Sequence, residues 1–353
     1  MNDDSRFLPG DRSQSRDRRN DFDVTNTVEV SSVDAVRDEV QMLFQSAYPN
    51  SAFDVIWMAF HDFGELFTGK LSDYRGCDTV YHDQQHSLDV TLAMARLLVG
   101  YEKSCAEDDR LGDERAVMGL IAALFHDAGY IRRKDEFRWL NGAEVTAWHV
   151  SRSADFLRAY LPRVGLADLT DIATRIVHFT GYEINLDDIE LDDPRDSMAG
   201  HLLGTADLIT QFADRCYLEK CRDRLYAEFV LAGVAINNQK KSGHPNILYA
   251  SGIDLLKKTP EFFDAMSNNR LESKFNRAYR YIEALYAGRN PYYEFIDQNL
   301  TYLTHVIESE DWSHLRRNPP CFTALNNPLQ SVSSLVSRHL ADLNAPASAL
   351  TTV

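Results

Sequence analysis

From Ser31 to about residue 310, apolar residues recur at the spacing of one helix face, and this pattern constrains the fold more than any other feature of the chain. In residues 31–44 a serine cap precedes four apolar residues on one helix face, namely Val33, Val36, Val40 and Leu43. The later segments show no alternating strand pattern of useful length and no internal repeat. The sequence therefore predicts an all-α fold, with a single helical domain over residues 31–315.

The two ends of the chain differ in composition from this helical domain. Residues 1–30 contain five arginines and six aspartates with almost no apolar side chains, so they are predicted to be a disordered charged segment. Residues 316–353 are predicted to be a C-terminal tail with one short helix over 329–343. The longest apolar runs, 55–60 and 229–236, are too short to span a bilayer, and the N-terminus shows no secretory signal. We therefore expect a cytoplasmic protein without a membrane partner.

Charge and cysteine content exclude further classes of function. The formal net charge of −16 argues against a nucleic-acid partner, because phosphate backbones require clustered Lys and Arg. It does not exclude a phosphorylated small molecule, since bound metal ions would carry the local positive charge. The five cysteines are odd in number and show no CxxC spacing, so neither a disulfide framework nor a thiolate zinc site is predicted.

Metal-type side chains occur at intervals within the helical segments. The run YHDQQHSLDV (81–90) contains His82 and His86, ALFHDAGY (123–130) contains His126 and Asp127, and GTADLI (204–209) contains Asp207. Imidazoles and carboxylates are the ligands of divalent cation sites in phosphate chemistry. An adjacent His-Asp pair on an apolar helix is also costly to bury without a partner or a metal. A single histidine is more often part of a core hydrogen-bond network, but the whole set in this order favours a metal site.

The helical pattern also predicts where these side chains lie. A helix over 82–101 would place His82 and His86 one turn apart on the same face, so that both point into one cleft. A helix over 114–128 would end at Gly129 as its C′ glycine, with the His-Asp pair in its last turn. Asp207 is expected on a long amphipathic helix.

The three runs resemble the HD superfamily of metal-dependent phosphohydrolases. The first run also resembles the opening motif of the class I cyclic-nucleotide phosphodiesterases, in which an asparagine stands where this chain has Asp83. The resemblance implies a single helical HD or phosphodiesterase-like domain that binds two divalent ions (Zn, Mg, Mn or Fe). The ligands that it implies are His86, His126, Asp127 and Asp207. It further implies that Asp127 bridges the ions, that a hydroxide between them attacks phosphorus, and that His82 protonates the leaving alkoxide.

The ligands of the second ion have two alternatives under this resemblance. Segments 143–157 and 175–183 are similar to family segments that provide two more histidines, here His149 and His178. In the alternative, Glu144 contacts the second ion through water, as a glutamate does in mammalian-type phosphodiesterases. The sequence does not identify the group that orients His82, for which Glu144 and Glu183 are candidates; Asp89 is a candidate to orient an imidazole from below.

The predicted reaction is hydrolysis of a 3′,5′-cyclic nucleotide, cAMP or cGMP, to the 5′-monophosphate. The alternatives are an HD-type hydrolase of a cyclic dinucleotide, a dinucleoside polyphosphate or a dNTP, and a silent HD module that senses nucleotides. The expected partner is thus a small-molecule nucleotide, with no nucleic acid and no membrane, and a homodimer is left open. The substrate-binding residues are not identified by any motif.

Candidates for contacts with the base are weak in this sequence. Gln211 and Gln239 are the nearest candidates for a glutamine that holds a purine. The aromatic residues of the later helices are predicted to be core rather than base-stacking; they are Phe275, Tyr279, Tyr281, Tyr292, Tyr293 and Phe295. Lys240 and Lys241 are predicted to lie in a solvated turn.

Overall fold

The computed structural model describes residues 18–238 and 245–344, and within these ranges the predicted all-α class is confirmed. The α-helices are α1 (Val33–Ala47), α2 (Asp54–Phe67), α3 (Gln84–Ser104), α4 (Asp113–Leu124), α5 (His149–Tyr160), α6 (Thr170–Ile176), α7 (Pro194–Ala213), α8 (Tyr217–Lys220), α9 (Tyr226–Leu231), α10 (Gly252–Met266), α11 (Pro291–Ser309) and α12 (Pro328–Asn344). One short antiparallel hairpin joins β1 (Ile236–Asn238) to β2 (Pro245–Ile247), with Ile236 opposite Ile247. None of the helices in these ranges is both long and apolar enough to cross a membrane.

Helix α3 is at the centre of the fold. It packs against α1, α4 and α7, and against the 3-10 segment Ala278–Leu285. From Val90 to Glu102 every side chain of α3 is buried, as expected of a helix that is apolar on all sides. Helix α7, which packs against it, has a similar buried run, so the polar side chains of these two helices at His86 and Asp207 face the interior.

Residues 18–30 pack against this core, and the predicted disorder of residues 1–30 is wrong for them. Three of their valines are buried, Val24, Val28 and Val30. The Asp23 carboxylate accepts hydrogen bonds from two backbone N–H groups of the following turn, both at 2.9 Å, and pairs with the buried Arg96 at 2.7 Å. A few well-spaced valines and one buried ion pair therefore order a segment that composition alone marks as charged and polar. Residues 1–17 lie outside the described residues.

The C-terminal region also belongs to the packed body. Helix α12 agrees with the short helix predicted over 329–343, and its Val332 is buried against Val80 and Leu231. Residues 316–327, here called the C-terminal strap, lead from the end of the predicted domain to this helix. The predicted boundary at residue 315 therefore does not mark the end of the folded domain.

Candidate metal centre

Four side chains from three parts of the chain converge on one point. His86 lies in the first turn of α3, His126 and Asp127 in the turn after α4, and Asp207 on α7. The Nε2 atom of His86 lies 3.3 Å from Asp207 Oδ1 and 3.6 Å from Asp127 Oδ2. The Nε2 atom of His126 lies 3.3 Å from Asp127 Oδ2 and 3.7 Å from Asp207 Oδ1. Ligand atoms of His86, His126 and Asp127 all lie within 4.8 Å of one another, so this group can hold a divalent cation.

A close contact with α5 positions the turn after α4. Because α4 ends at Leu124, His126 and Asp127 follow the helix and do not lie in its last turn as predicted. Gly129 is not a C′ glycine with positive φ either. Instead, a Cβ atom at Gly129 would lie 1.8 Å from the carbonyl oxygen of His149, so only glycine allows this approach. The contact brings His149, the first residue of α5, next to Asp127.

Two buried polar atoms at the centre have no hydrogen-bond partner among the described residues, His126 Nε2 and Asp127 Oδ2. Such atoms are rare in folded proteins, because their desolvation is not compensated. The other ring nitrogen of His126, Nδ1, donates to the carbonyl oxygen of Ala123 at 2.7 Å, which leaves the Nε2 lone pair free to bind a metal. A divalent cation between the two atoms would satisfy both, so this donor set fits a metal ion.

The adjacent His126 and Asp127 shift each other's pKa. Burial alone would lower the pKa of His126, but the Asp127 and Asp207 carboxylates and the Ala123 carbonyl together raise this pKa to about 9. Burial would raise the pKa of Asp127, but His126 together with His82 and His86 holds this pKa well below its usual range. The surroundings thus favour positive charge beside the carboxylate, and a divalent cation can take the place of the proton.

His149 faces the opposite oxygen of the same carboxylate. Its Nε2 atom lies 3.7 Å from Asp127 Oδ1, while its Nδ1 donates to the carbonyl oxygen of Thr146 at 2.7 Å. Burial lowers the pKa of His149, which favours the neutral imidazole that metals bind. The two oxygens of Asp127 therefore face two different sets of histidines, as a bridging carboxylate would.

Three other predicted side chains are not brought into this group. In the described part of the chain, no carboxylate oxygen lies within 4.0 Å of the His178 ring nitrogens, and its Nδ1 has no hydrogen-bond partner. Glu144 caps its own turn, because its Oε1 accepts from the N–H groups of Leu140 at 2.6 Å and Asn141 at 2.9 Å. Asp89 lines a small separate cavity behind His86 and, within the described ranges, its Oδ1 has no hydrogen-bond partner.

His82 reaches the cleft from a different backbone position than the one predicted. Helix α3 begins at Gln84 with Asp83 as its N-cap, so His82 precedes the helix and does not share a helix face with His86. The two rings are nevertheless neighbours, with centroids 5.8 Å apart. Tyr130 stacks on the His82 ring at 4.5 Å and limits its rotation.

Glu228 is the carboxylate that contacts His82, and neither of the two candidates, Glu144 and Glu183, does so. Its Oε2 lies 2.6 Å from His82 Nδ1, and the Glu228 side chain is fully buried. Burial would lower the pKa of His82, but Glu228 together with Asp127 and Asp207 makes the net shift upward. The one feature of the sequence that could have identified Glu228 is its place inside the apolar stretch of α9, because a buried carboxylate requires a partner. Glu183 instead accepts from the N–H groups of Val150 and Ser151 at the start of α5.

Six of these side chains line one cleft of about 490 Å³. Its polar end contains His82, His86, Asp127, His149, Glu183 and Asp207. Its other end, here called the aromatic end, is lined by Tyr217, Leu225, Phe229, Val234, Tyr249, Leu255 and Phe262. The helical spacing of these apolar residues is the same as that of core residues, so sequence reasoning missed them.

Gln211 also lines the cleft, and the Tyr81 hydroxyl donates to its Oε1 at 3.4 Å. Gln239, Lys240 and Lys241 lie outside the described residues. The aromatic residues of the later helices do not line the cleft; Phe275, Tyr279 and Tyr292 are buried in the core, as predicted.

No known family model matches this chain, and neither a curated protein nor a solved structure matches it. The likeness of three short runs to the HD phosphohydrolases therefore stays a prediction. The function has to be inferred from the residues that the fold brings together.

Proposed function

We propose that this chain is a metal-dependent phosphodiesterase that hydrolyses a 3′,5′-cyclic nucleotide, cAMP or cGMP, to the 5′-monophosphate. One observation carries the proposal. A cation-binding group, an imidazole backed by a buried carboxylate and an aromatic wall lie side by side in a single cleft. A silent sensing module would not need two unpartnered buried atoms at its centre, whose desolvation is costly.

The charges along the cleft favour a substrate with a single phosphate. Apart from histidines, Lys258 is the cationic side chain among the described lining residues. Its Nζ already donates to the carbonyl oxygen of Leu248 at 2.6 Å and to Asp254 at 3.0 Å. A polyphosphate requires several cationic donors in addition to metal ions. Hydrolysis of a dNTP or of a dinucleoside polyphosphate is therefore less well supported.

The protein's own groups provide proton transfer and orientation. Divalent ions held by His86, His126, Asp127 and Asp207 would lower the pKa of water and neutralise charge on the phosphoryl oxygens. Since Glu228 engages His82 Nδ1, the other ring nitrogen is the one left to protonate a leaving alkoxide. The aromatic end can stack on a base, which orients the phosphate towards the polar end.

A substrate panel with Mn²⁺, Mg²⁺ or Zn²⁺ tests the proposal, with chromatography of the products and elemental analysis of the protein. The panel contains cAMP, cGMP, a cyclic dinucleotide, a dinucleoside tetraphosphate and a dNTP. We expect 5′-monophosphate from a cyclic nucleotide. Asp127→Ala should lower both turnover and metal content to background with helicity retained, whereas Asp135→Ala, at an exposed position, should change neither.

Two results would overturn the proposal. Phosphate or triphosphate release from a dNTP, with no turnover of cyclic nucleotides, would indicate a nucleotidase. Turnover and metal content close to wild type in Asp127→Ala would exclude chemistry at this metal centre.

A further inference from the structure

The loop that carries His82 is held on two sides. On one side, Glu228 Oε1 accepts hydrogen bonds from the N–H groups of Val80 and Tyr81, both at 2.6 Å. Its other oxygen contacts the His82 ring. The C-terminal strap is hydrogen-bonded to the same part of the chain. The position of His82 therefore depends on parts of the chain that are far away in sequence.

Three hydrogen bonds tie the strap to this loop and to the start of α3. The N–H of Ala324 donates to the carbonyl oxygen of Cys77 at 2.8 Å. The N–H of Gln84 donates to the carbonyl oxygen of Phe322 at 3.1 Å. The N–H of Phe322 donates to Asp83 Oδ2 at 2.9 Å. The last bond joins residues that are 239 positions apart in the chain.

Asp83 is the link, because its two oxygens accept hydrogen bonds from different elements. Oδ1 accepts from the N–H groups of Gln85 at 3.0 Å and His86 at 3.3 Å, and so caps α3. Oδ2 accepts from the strap and lies 4.0 Å from the Arg224 guanidinium, which also donates to the carbonyl oxygen of Pro320 at 3.2 Å. Asp83 is only 1% exposed, so water does not readily replace a lost partner.

This arrangement requires a carboxylate and not an amide. As helix N-caps alone, asparagine and aspartate are about equally good. An asparagine at position 83 has one acceptor oxygen, so its NH₂ group would face an N–H donor either of α3 or of the strap. The cap by itself therefore does not explain the aspartate, whereas the link to the strap does.

We propose that Asp83 is a positioning residue whose carboxylate ties the C-terminal strap to α3 and thereby holds His82 and His86 in their working places. The catalytic part of this inference rests on the proposed function. The tie between the strap and α3 does not depend on it.

The test compares Asp83→Asn with Asp193→Asn in the full chain loaded with Mn²⁺. Asp193 is the matched control, because it caps α7 by accepting from the N–H of Arg195 at 2.9 Å, and α7 carries Asp207. Unlike Asp83, Asp193 has no hydrogen bond to the described residues of the strap. Amide hydrogen exchange is measured for the peptides of residues 77–86 and 319–326. kcat and KM are measured on the cyclic nucleotide and on a nitrophenyl phosphodiester.

In Asp83→Asn we expect exchange of both peptides to rise about tenfold or more, because a buried hydrogen bond is lost. For the cyclic nucleotide kcat should fall about tenfold with KM nearly unchanged, and the loss should be smaller for the nitrophenyl ester, which leaves without protonation. Asp193→Asn should change neither quantity.

If amide exchange is unchanged in Asp83→Asn, Asp83 does not tie the strap to α3. If exchange rises but kcat is unchanged, Asp83 does not position His82 and His86 for catalysis. If the wild-type protein cleaves no phosphodiester, the proposed function fails, but the exchange data still decide the tie. Should Asp83→Asn not fold, Phe322→Pro removes the strap N–H while leaving the cap of α3 intact. The same rise in exchange and loss of kcat are then expected, and their absence overturns the inference.

Discussion

The polar end and the aromatic end of the cleft are held in place by different forces. At the polar end, three imidazoles are fixed by a hydrogen bond through Nδ1, from His126 to Ala123, from His149 to Thr146 and from His82 to Glu228. At the aromatic end, Phe229 stacks on Tyr249 at 6.0 Å, and Phe262 is 46% exposed. These rings are positioned by packing and by the Lys258 ammonium, whose Nζ lies 5.4 Å from the centroid of the Tyr249 ring. The polar end is therefore fixed by directional hydrogen bonds, and the aromatic end mainly by less directional packing.

This contrast implies separable kinetic effects. Groups that act only in the transition state affect kcat, whereas groups that bind the substrate equally before and during the reaction affect KM. Substitutions at the polar end should thus lower kcat, and those at the aromatic end should raise KM. The predictions below test that division, from the largest expected effect to the smallest.

Replacing His82 should give the largest effect on kcat that leaves metal binding intact. In His82→Asn we expect kcat to fall by about 10²- to 10⁴-fold, the usual loss when a positioned acid is removed. Metal content by elemental analysis and KM should stay near the wild-type values. The loss should shrink for a nitrophenyl leaving group. An equal loss on both substrates, or a loss of metal, would mean that His82 is a ligand or a structural residue.

His149 and His178 form a matched pair that tests the second ion. His149→Ala should lower metal content from two ions towards one per chain and turnover by at least on the order of 10²-fold, because His149 faces Asp127 Oδ1. His178→Ala should change metal content little, since the structure does not bring His178 to the cluster. If His149→Ala still binds two ions per chain, His149 is not a required ligand, and water completes the coordination of the second ion.

Glu228→Gln should shift the pH dependence of kcat. Burial lowers the pKa of His82, but Glu228 together with the Asp127 and Asp207 carboxylates raises it more, so activity that needs the protonated imidazole should be lost as pH rises through this raised pKa. Removing the negative charge of Glu228 should lower the pKa of His82. The alkaline limb of the pH profile of kcat should then move to lower pH. At pH 8 we expect kcat to fall on the order of tenfold. Glu219→Gln, at another buried glutamate, is the control, and an unshifted limb would exclude Glu228 as the partner in catalysis.

At the aromatic end, Phe229→Ala should act on KM. We expect KM for the cyclic nucleotide to rise roughly tenfold with kcat almost unchanged, because stacking of a base on an aromatic ring stabilises by about 1–3 kcal/mol. Phe137→Ala, at a ring that is 80% exposed and outside the cleft, should leave KM unchanged. A fall in kcat with constant KM in Phe229→Ala would contradict the division between the two ends.

Some parts of the site could be predicted for sound reasons and others only by coincidence. His86 and Asp207 were predicted on buried helices, and both helices are present. His82 reaches the same cleft as His86 although the predicted reason, a shared helix face, is wrong. His149 and His178 looked equivalent in the sequence, yet only His149 reaches Asp127, because Gly129 lets α5 approach.

By itself, the sequence determined the helical class and the chemical type of the central cluster. Helical periodicity is a local property, and a His-Asp pair in an apolar segment requires a partner in any fold. Only the tertiary structure decided that residues 18–30 are packed, that Glu228 supports His82, and that Asp83 binds the strap. The physical reason is the distance along the chain: the bond from His82 to Glu228 spans 146 residues and the bond from Asp83 to Phe322 spans 239. No local pattern encodes which distant hydrogen-bonding group will lie opposite a buried carboxylate.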